Sequence, residues 1–313
     1  MPEFSVITPV LNQASTIEKC IESVAMQNMD VEHIIIDGGS TDGTVDIIRK
    51  HEGKLKFWVT EPDRGQSHAI NKGLEQATCA WFNWLNADDQ LTENALQTVL
   101  QTAKSDTQVV VGKCKHVNTD GETVAEGSAR IWDSLEATLG NYSMGQPSVF
   151  YRTEIVKQLG GLNENLHLCL DMDLWFRFLL KYGQNRIETT DAVLSEFLVH
   201  EGGKSSSQAE KMRAEKYGIY HSLLSNFELP DVLVEFFAYH QIPKLAQYQP
   251  PSNLNADEIL SNFTWHLMVG AYEQKALTTS ELFFDVVKKG SRLSERQKLE
   301  WIARIAAAKF KTR

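Results

Sequence analysis

Four short apolar runs, FSVIT (4–8), HIIID (33–37), LKFWVT (55–60) and AWFNWL (80–85), alternate with helix-like segments at about 14–27, 44–51, 67–77 and 92–103. Apolar runs of this length separated by amphipathic stretches read as β-α units feeding a mixed, mostly parallel sheet with helices on both faces, a Rossmann-like α/β arrangement. Such sheets bind ligands beyond the carboxyl ends of their strands. The conspicuous polar residues lie there: Thr8-Pro9-Val10-Leu11-Asn12, Asp37-Gly38-Gly39-Ser40, Glu61-Pro62-Asp63-Arg64-Gly65 and Asn86-Ala87-Asp88-Asp89.

Beyond residue 105 the regularity weakens. QVVVGKCKHVNTDGETVAE predicts two strands joined at Asn118-Thr119-Asp120-Gly121, a hairpin turn signal. GQPSVFYR (145–152) predicts another strand, DMDLWFRFLLKYG (171–183) an amphipathic helix and AVLSEFLVH (192–200) a last strand. From about 207 onward the pattern is helical, with a linker at YQPPSN (248–253). The expected division is an α/β domain over 1–225, in two halves at about 1–105 and about 106–225, followed by a helical extension over 226–313.

A formal net charge of -10 argues against a general nucleic-acid binder, which would present a basic face. An acidic chain that handles an anionic substrate needs local help from a metal or a few placed cations. The four cysteines form no C-x-x-C pair, so neither a zinc site nor a disulfide framework is expected. MPEFSVITPVLNQ has no signal-peptide pattern, and no apolar run approaches the roughly 18 residues of a bilayer span. The expectation is a cytoplasmic protein, soluble or peripheral at the membrane face.

WFNWLNADDQ (81–90) runs from a buried strand straight into an amide and two carboxylates. Adjacent negative charges at a water-poor sheet edge repel unless a cation or hydrogen-bond donors sit between them. Asp88 or Asp89 is either a helix cap or part of a site for a hard divalent ion, Mn²⁺ or Mg²⁺, shared with substrate phosphate oxygens. The glycines of DGGSTDGT (37–44) open backbone N–H groups toward a phosphate or ribose, which places Gly39 with the nucleotide; the competing reading is a tight turn capped by Asp42. Arg64 is a second cation near the nucleotide, and His200, followed by Gly202-Gly203-Lys204-Ser205, looks like the root of a cationic lid. Asp171 and Asp173 open a helix where the dipole favours negative charge. Asp173 pairs with Arg177 at i+4, and Asp171, one turn before Trp175, is the better general base.

Taken in order, TPVLN, IIIDGGSTDGT, EPDRGQSHAINKGL, WLNADD and LDMDLWFRF resemble glycosyltransferase family 2 over residues 4–183. The resemblance implies a nucleotide-diphospho-sugar transferase (GT-A) fold, an inverting mechanism and a divalent metal. Asn86-Ala87-Asp88 occupies the place of the family's D-x-D motif, with Asp88 as its metal-binding carboxylate, and Asp171 matches the base. Pro9, Asn12 and Asp37 match nucleoside contacts, with Thr8 and Val10 beside them, and His200 matches a histidine near the metal and pyrophosphate. Gln146, Asp89 and Trp175 fall on the donor-sugar and acceptor side, although core packing competes for Trp175. Three positions depart from the pattern: Asn86 replaces the first aspartate, Gly38 the second aspartate of D-D-G-S, and Leu170 the glutamate before the base.

The implied partners are a UDP-, GDP- or dTDP-sugar donor and a glycan or lipid-linked acceptor, as in cell-surface polysaccharide synthesis. A sugar nucleotidyltransferase would share the sheet but needs a glycine-rich basic loop after the first strand, which PVLNQAST is not. A catalytically silent sugar-nucleotide binder is kept open by Asn86. The basic C-terminal segment SRLSERQKLEWIARIAAAKFKTR reads as an amphipathic helix that packs on the domain or on a second copy in a homodimer, or that meets an anionic membrane.

Overall fold

The computed structural model describes residues 2–200, 202–203, 207–229 and 231–273. Lys204 of the expected lid and the basic C-terminal segment lie outside the described residues. Packing groups the described residues into two units: those up to Arg130 with Ser143–Lys216, and Ile131–Tyr142 with the described residues from Tyr217 on.

The first unit is built on a nine-stranded mixed sheet. Strands β1 (Phe4–Val10), β2 (Val31–Asp37), β3 (Phe57–Thr60) and β4 (Trp81–Trp84) are wholly parallel, in the order β3-β2-β1-β4. Helices α1 (Ile17–Ala25), α2 (Thr44–Lys50) and α3 (Gln66–Gln76) make the crossovers. Every residue of β1 is buried, as expected of a central strand covered on both faces. On α1, Ile17, Cys20, Ile21 and Val24 follow i, i+3, i+4, i+7 spacing and join a core with Phe4, Val6 and Trp81. On α3, a side chain at Gly73 would sit 2.5 Å from Ile7, so the helix lies close on β1 because that residue is glycine.

The second half of the sheet is mixed in direction. After β5 (Gln90–Leu91) and α4 (Ala95–Thr102), β6 (Val109–Val117) and β7 (Thr123–Ser128) form the hairpin expected from Asn118–Gly121. A short helix α5 (Leu135–Gly140) follows, then β8 (Val149–Arg152), which pairs antiparallel with both β4 and β6. After α6 (Thr153–Gln158) and α7 (Leu170–Tyr182) comes β9 (Ile187–Leu198), parallel to β6 and antiparallel to β5. β9 starts five residues before the expected strand, because Ile187–Thr189 already pair with Val109–Val111. Cys20, Cys79, Cys114 and Cys169 are buried free thiols.

Among the described residues the remaining helices are α8 (Ala209–Leu224), α9 (Asp231–Tyr239) and α10 (Ala256–Glu273). The second unit has its own aromatic core, in which Tyr220, Phe237 and Phe263 pack together and the Tyr220 hydroxyl donates to the carbonyl of Leu139 at 3.0 Å. Among the described residues no helix is long and apolar enough to cross a membrane.

Candidate active site

Register assembles the site. Val10 pairs with Asp37, Asp37 with Thr60 and Ile7 with Trp84, so β1 to β4 release their following loops along one sheet edge. Leu85 N–H still donates to the Ile7 carbonyl at 2.9 Å, so the chain leaves the sheet at Asn86. From the opposite side, β5 runs antiparallel to β9 with Gln90 opposite Glu196, which carries the end of β9 toward Asp88 and Asp89. Between these loops lies a cleft of about 300 Å³ whose walls include Pro9, Val10, Asp63, Gln66, Asp88 and Phe197. Asn86, Ala87, Gly202 and Gly203 complete the edge nearest Asp88.

Asp88 and His200, 112 residues apart, meet there: His200 Nε2 lies 3.2 Å from Asp88 Oδ2, with the side chains 22% and 23% exposed. Asp88 is a wall of the cleft and His200 stands behind it rather than in the lining; a carboxylate oxygen and an imidazole nitrogen are donors that would suit Mn²⁺. The Asn86 amide is committed elsewhere: its oxygen accepts from Gln66 Nε2 at 2.7 Å and its nitrogen donates to Asp89 Oδ2 at 3.0 Å. A second group of ligand-type residues, Glu18, Glu22 and His51, lies where Lys50 already pairs with Glu18.

Asp89, expected on the sugar side, is instead buried. Its other oxygen accepts from Leu198 N–H at 3.3 Å, so it ties the end of β9 to the Asn86 loop. Burial and the negative charge of Asp88 push its carboxyl well above the usual carboxylate range, outweighing the donors Asn86 and Leu198. Below this loop the Cys20 thiol donates to the Asn86 carbonyl at 3.5 Å, and burial raises its pKa.

The nucleotide-side loops are held by their own side chains. Asp37 is fully buried and accepts from the Gly39 and Ser40 amides, both at 3.0 Å, and from the Ser40 and Thr60 hydroxyls. Its carboxylate therefore shapes the turn. Asn12 is in the left-handed region, at φ 54, and its side-chain oxygen accepts from Thr41 N–H at 2.9 Å, joining the first two loops. Asp42 accepts from Thr44 N–H at 3.0 Å but stands one residue before the cap position, which Gly43 holds, so it braces the turn and is not the helix cap expected of it. Thr8 is a correction: its side chain is buried beneath the edge, 2.9 Å from His33 Nε2, and does not line the cleft. A Cβ on Gly38 would lie 2.6 Å from an Asp63 carboxylate oxygen, so a side chain there would require the Asp63 carboxylate to move. The loop after β3 thus places a carboxylate where residue 38 has none.

Arg64 also differs from expectation. It is 68% exposed, pairs with Glu164 and does not line the cleft, so it anchors the segment that leads into α7. That segment is further held by Ser67 Oγ donating to the Leu166 carbonyl at 3.0 Å and Asn71 Nδ2 to the Leu162 carbonyl at 2.9 Å. At Gly65, φ 118, a side chain would be strained, and the His167 ring lies 3.5 Å from where its Cβ would be. Asp171, half-buried in the first turn of α7, follows one turn after this junction and is not itself a wall of the cleft. Asp173 is buried and paired with Arg177, as expected. Trp175 is a core residue, stacked on Phe178 and edge-on to Tyr151, which replaces its sugar-side assignment. Gln146, half-buried, donates through Nε2 to the Trp84 carbonyl at 2.7 Å, beside the exit of β4.

Sequence reasoning missed Asp63, Gln66 and Phe197 as cleft walls. The first two lie inside EPDRGQSHAINKGL and were within reach. Phe197 depends on where β9 ends.

The profile of the family described as Glycosyl transferase family 2 matches residues 5–156. The chain is 30% identical over 186 residues to a PGL/p-HBAD biosynthesis glycosyltransferase of Mycobacterium bovis BCG, covering 56% of this chain and 69% of the relative. It is 33% identical over 119 residues to the GalNAc(5)-diNAcBac-PP-undecaprenol beta-1,3-glucosyltransferase of Campylobacter jejuni, over 36% of this chain and 38% of that one. Among solved structures it is similar to S. aureus TarS 1-349 in complex with UDP-GlcNAc, with TM-score 0.60 and 20% identity over 97% of this chain and 79% of that one. It is also similar to the mannosyltransferase PcManGT of Pyrobaculum calidifontis in complex with GDP-Man and Mn²⁺, with TM-score 0.54 and 18% identity over 98% and 86% of the two chains.

Proposed function

The chain belongs to glycosyltransferase family 2 and has the GT-A fold, and from that premise we propose that it is an inverting, metal-dependent hexosyltransferase acting on a nucleoside-diphosphate sugar. The observation that carries this reading is the convergence of Asp88 and His200 at the sheet edge beside an open cleft. Asp88 and His200 would hold Mn²⁺ or Mg²⁺, which when bound neutralises the charge of the departing diphosphate. Pro9, Val10, Asp63 and Gln66 bind and orient the nucleotide portion against the ends of β1 and α3. Asp171 accepts the proton of the acceptor hydroxyl as that oxygen attacks the anomeric carbon from the face opposite the diphosphate. The new glycosidic bond forms as the bond to the nucleoside diphosphate breaks, and configuration inverts.

A glycan or lipid-linked acceptor in cell-surface polysaccharide synthesis is supported by the two relatives, one a PGL/p-HBAD biosynthesis glycosyltransferase and one a glucosyltransferase of an undecaprenol-linked glycan. The reaction is assigned to the first unit, and residues 226–313 to an extension that serves the acceptor, a second copy or the membrane surface. The test is nucleoside diphosphate release from a panel of UDP-, GDP- and dTDP-sugars, with thermal shifts recorded with and without Mn²⁺. One donor should give both a Mn²⁺-dependent shift and release. A shift without release in the presence of varied acceptors would favour the silent binder, the reading that Asn86 supports.

A further inference from the structure

Position 170, before the base, is a buried leucine where the resemblance places a glutamate, and α7 has no side-chain cap of its own at Cys169. A carboxylate nevertheless reaches this helix end from α8. Glu215 Oε1 accepts from His167 N–H at 2.9 Å, and Oε2 accepts from the N–H groups of Leu168 and Cys169, both at 2.8 Å. Three successive amides converging on one carboxylate make charge-assisted bonds, which fix a chain direction as well as an energy. Cys169 Sγ donates to the Met212 carbonyl of the same helix at 3.4 Å, so the grip spans a full turn of α8. The neighbouring residue, Lys216, lies within electrostatic reach of Asp171.

We propose that Glu215 is a positioning residue for Asp171: it clamps the backbone of residues 167–169 and thereby sets where the base carboxylate stands relative to the acceptor hydroxyl. This rests on the reading of Asp171 as the base. The clamp acts through the backbone. Its loss therefore alters the geometry of proton removal and leaves the nucleotide-binding loops, built from residues 8–13, 37–44 and 63–66, in place. A shift of about 1 Å at a catalytic group costs on the order of 10²-fold in rate.

The test compares full-length wild type, Glu215→Ala, Glu215→Gln and Asp171→Asn, using UDP-glucose, UDP-N-acetylglucosamine and GDP-mannose with Mn²⁺. Amide hydrogen exchange and nucleotide-induced thermal shifts are measured on the same samples. Glu215→Ala should lose protection at residues 167–169 and lower kcat about 30- to 100-fold, with donor affinity within about twofold of wild type. Glu215→Gln, which keeps one acceptor oxygen, should fall between. Wild-type kcat in Glu215→Ala, or equal loss of kcat, donor affinity and global protection in both Glu215 variants, overturns the positioning role. Wild-type turnover in Asp171→Asn instead overturns the base assignment, whatever Glu215 does. The exchange at 167–169 reads the clamp in either case.

Discussion

The donor edge and the base helix are assembled by opposite means. At the donor edge, parallel register lines up the ends of β1, β2 and β4, so the polar loops that follow these strands become neighbours in space. At the base helix the holding contacts are not strand register but bonds from side chains of other elements: Arg64 to Glu164, Asn71 to Leu162 and Glu215 to residues 167–169. The first kind of construction is set once the sheet forms. The second depends on several separate segments arriving together; Arg64 and Asn71 sit on the loop and helix that also carry Asp63 and Gln66, and of the three contacts only that of Glu215 is made from an element apart from these.

The largest expected effect separates the two regions. Asp171→Asn should lower turnover about 10³-fold while donor binding, measured by thermal shift with Mn²⁺, stays as in wild type. If both fall together, the regions are not independent. Next, Asp88→Asn and His200→Ala should each weaken the Mn²⁺-dependent part of donor affinity roughly 10- to 100-fold, read by titration at fixed nucleotide, with the metal-free affinity unchanged. A smaller effect is expected at Gly38. Gly38→Asp would push a second carboxylate against Asp63, so donor affinity should drop about tenfold, with partial recovery in the double variant with Asp63→Gly.

The smallest effect concerns the donor-side core. Burial holds the His33 pKa down at about 3, and its Nδ1 has no hydrogen-bond partner among the described residues. The folded pKa lies below the unfolded value, so this contribution to stability is fully present above pH 6.5 and is lost as pH falls toward 3. The loss approaches roughly 1.4 kcal/mol per pH unit below 6.5. Urea melts at pH 7 and pH 5.5 should show it, and His33→Gln should flatten the difference. An unchanged pH dependence in that variant would mean that other groups carry the acid sensitivity.

Much of the fold was legible because each β-α unit announces itself through an apolar run, a polar strand end and an amphipathic helix. Asp88 and His200 stood out in the sequence because each follows the end of a strand, and the structure brings them to 3.2 Å. What was illegible has a common cause in side-chain direction. β1 is covered on both faces, so all its residues are buried and no alternation reveals that Thr8 points to His33. Of two adjacent aspartates one turns inward, and only the pairing of β5 with β9 shows that it is Asp89. Trp175 shares the inward face of α7 with Asp171, yet a turn further along that face is core. Glu215 lies 46 residues from the amide of Cys169 that it accepts, beyond any local pattern.

The measurement that bears most directly on the central claim is anomalous scattering from a crystal of the full chain soaked with Mn²⁺ and the nucleoside diphosphate selected by the donor panel. The account predicts a manganese peak bonded to Asp88 and His200, with diphosphate oxygens completing its shell and the nucleotide against Pro9 and Asp63. Nucleotide bound in the cleft without manganese at that pair, or manganese held at Glu18, Glu22 and His51 instead, would contradict it.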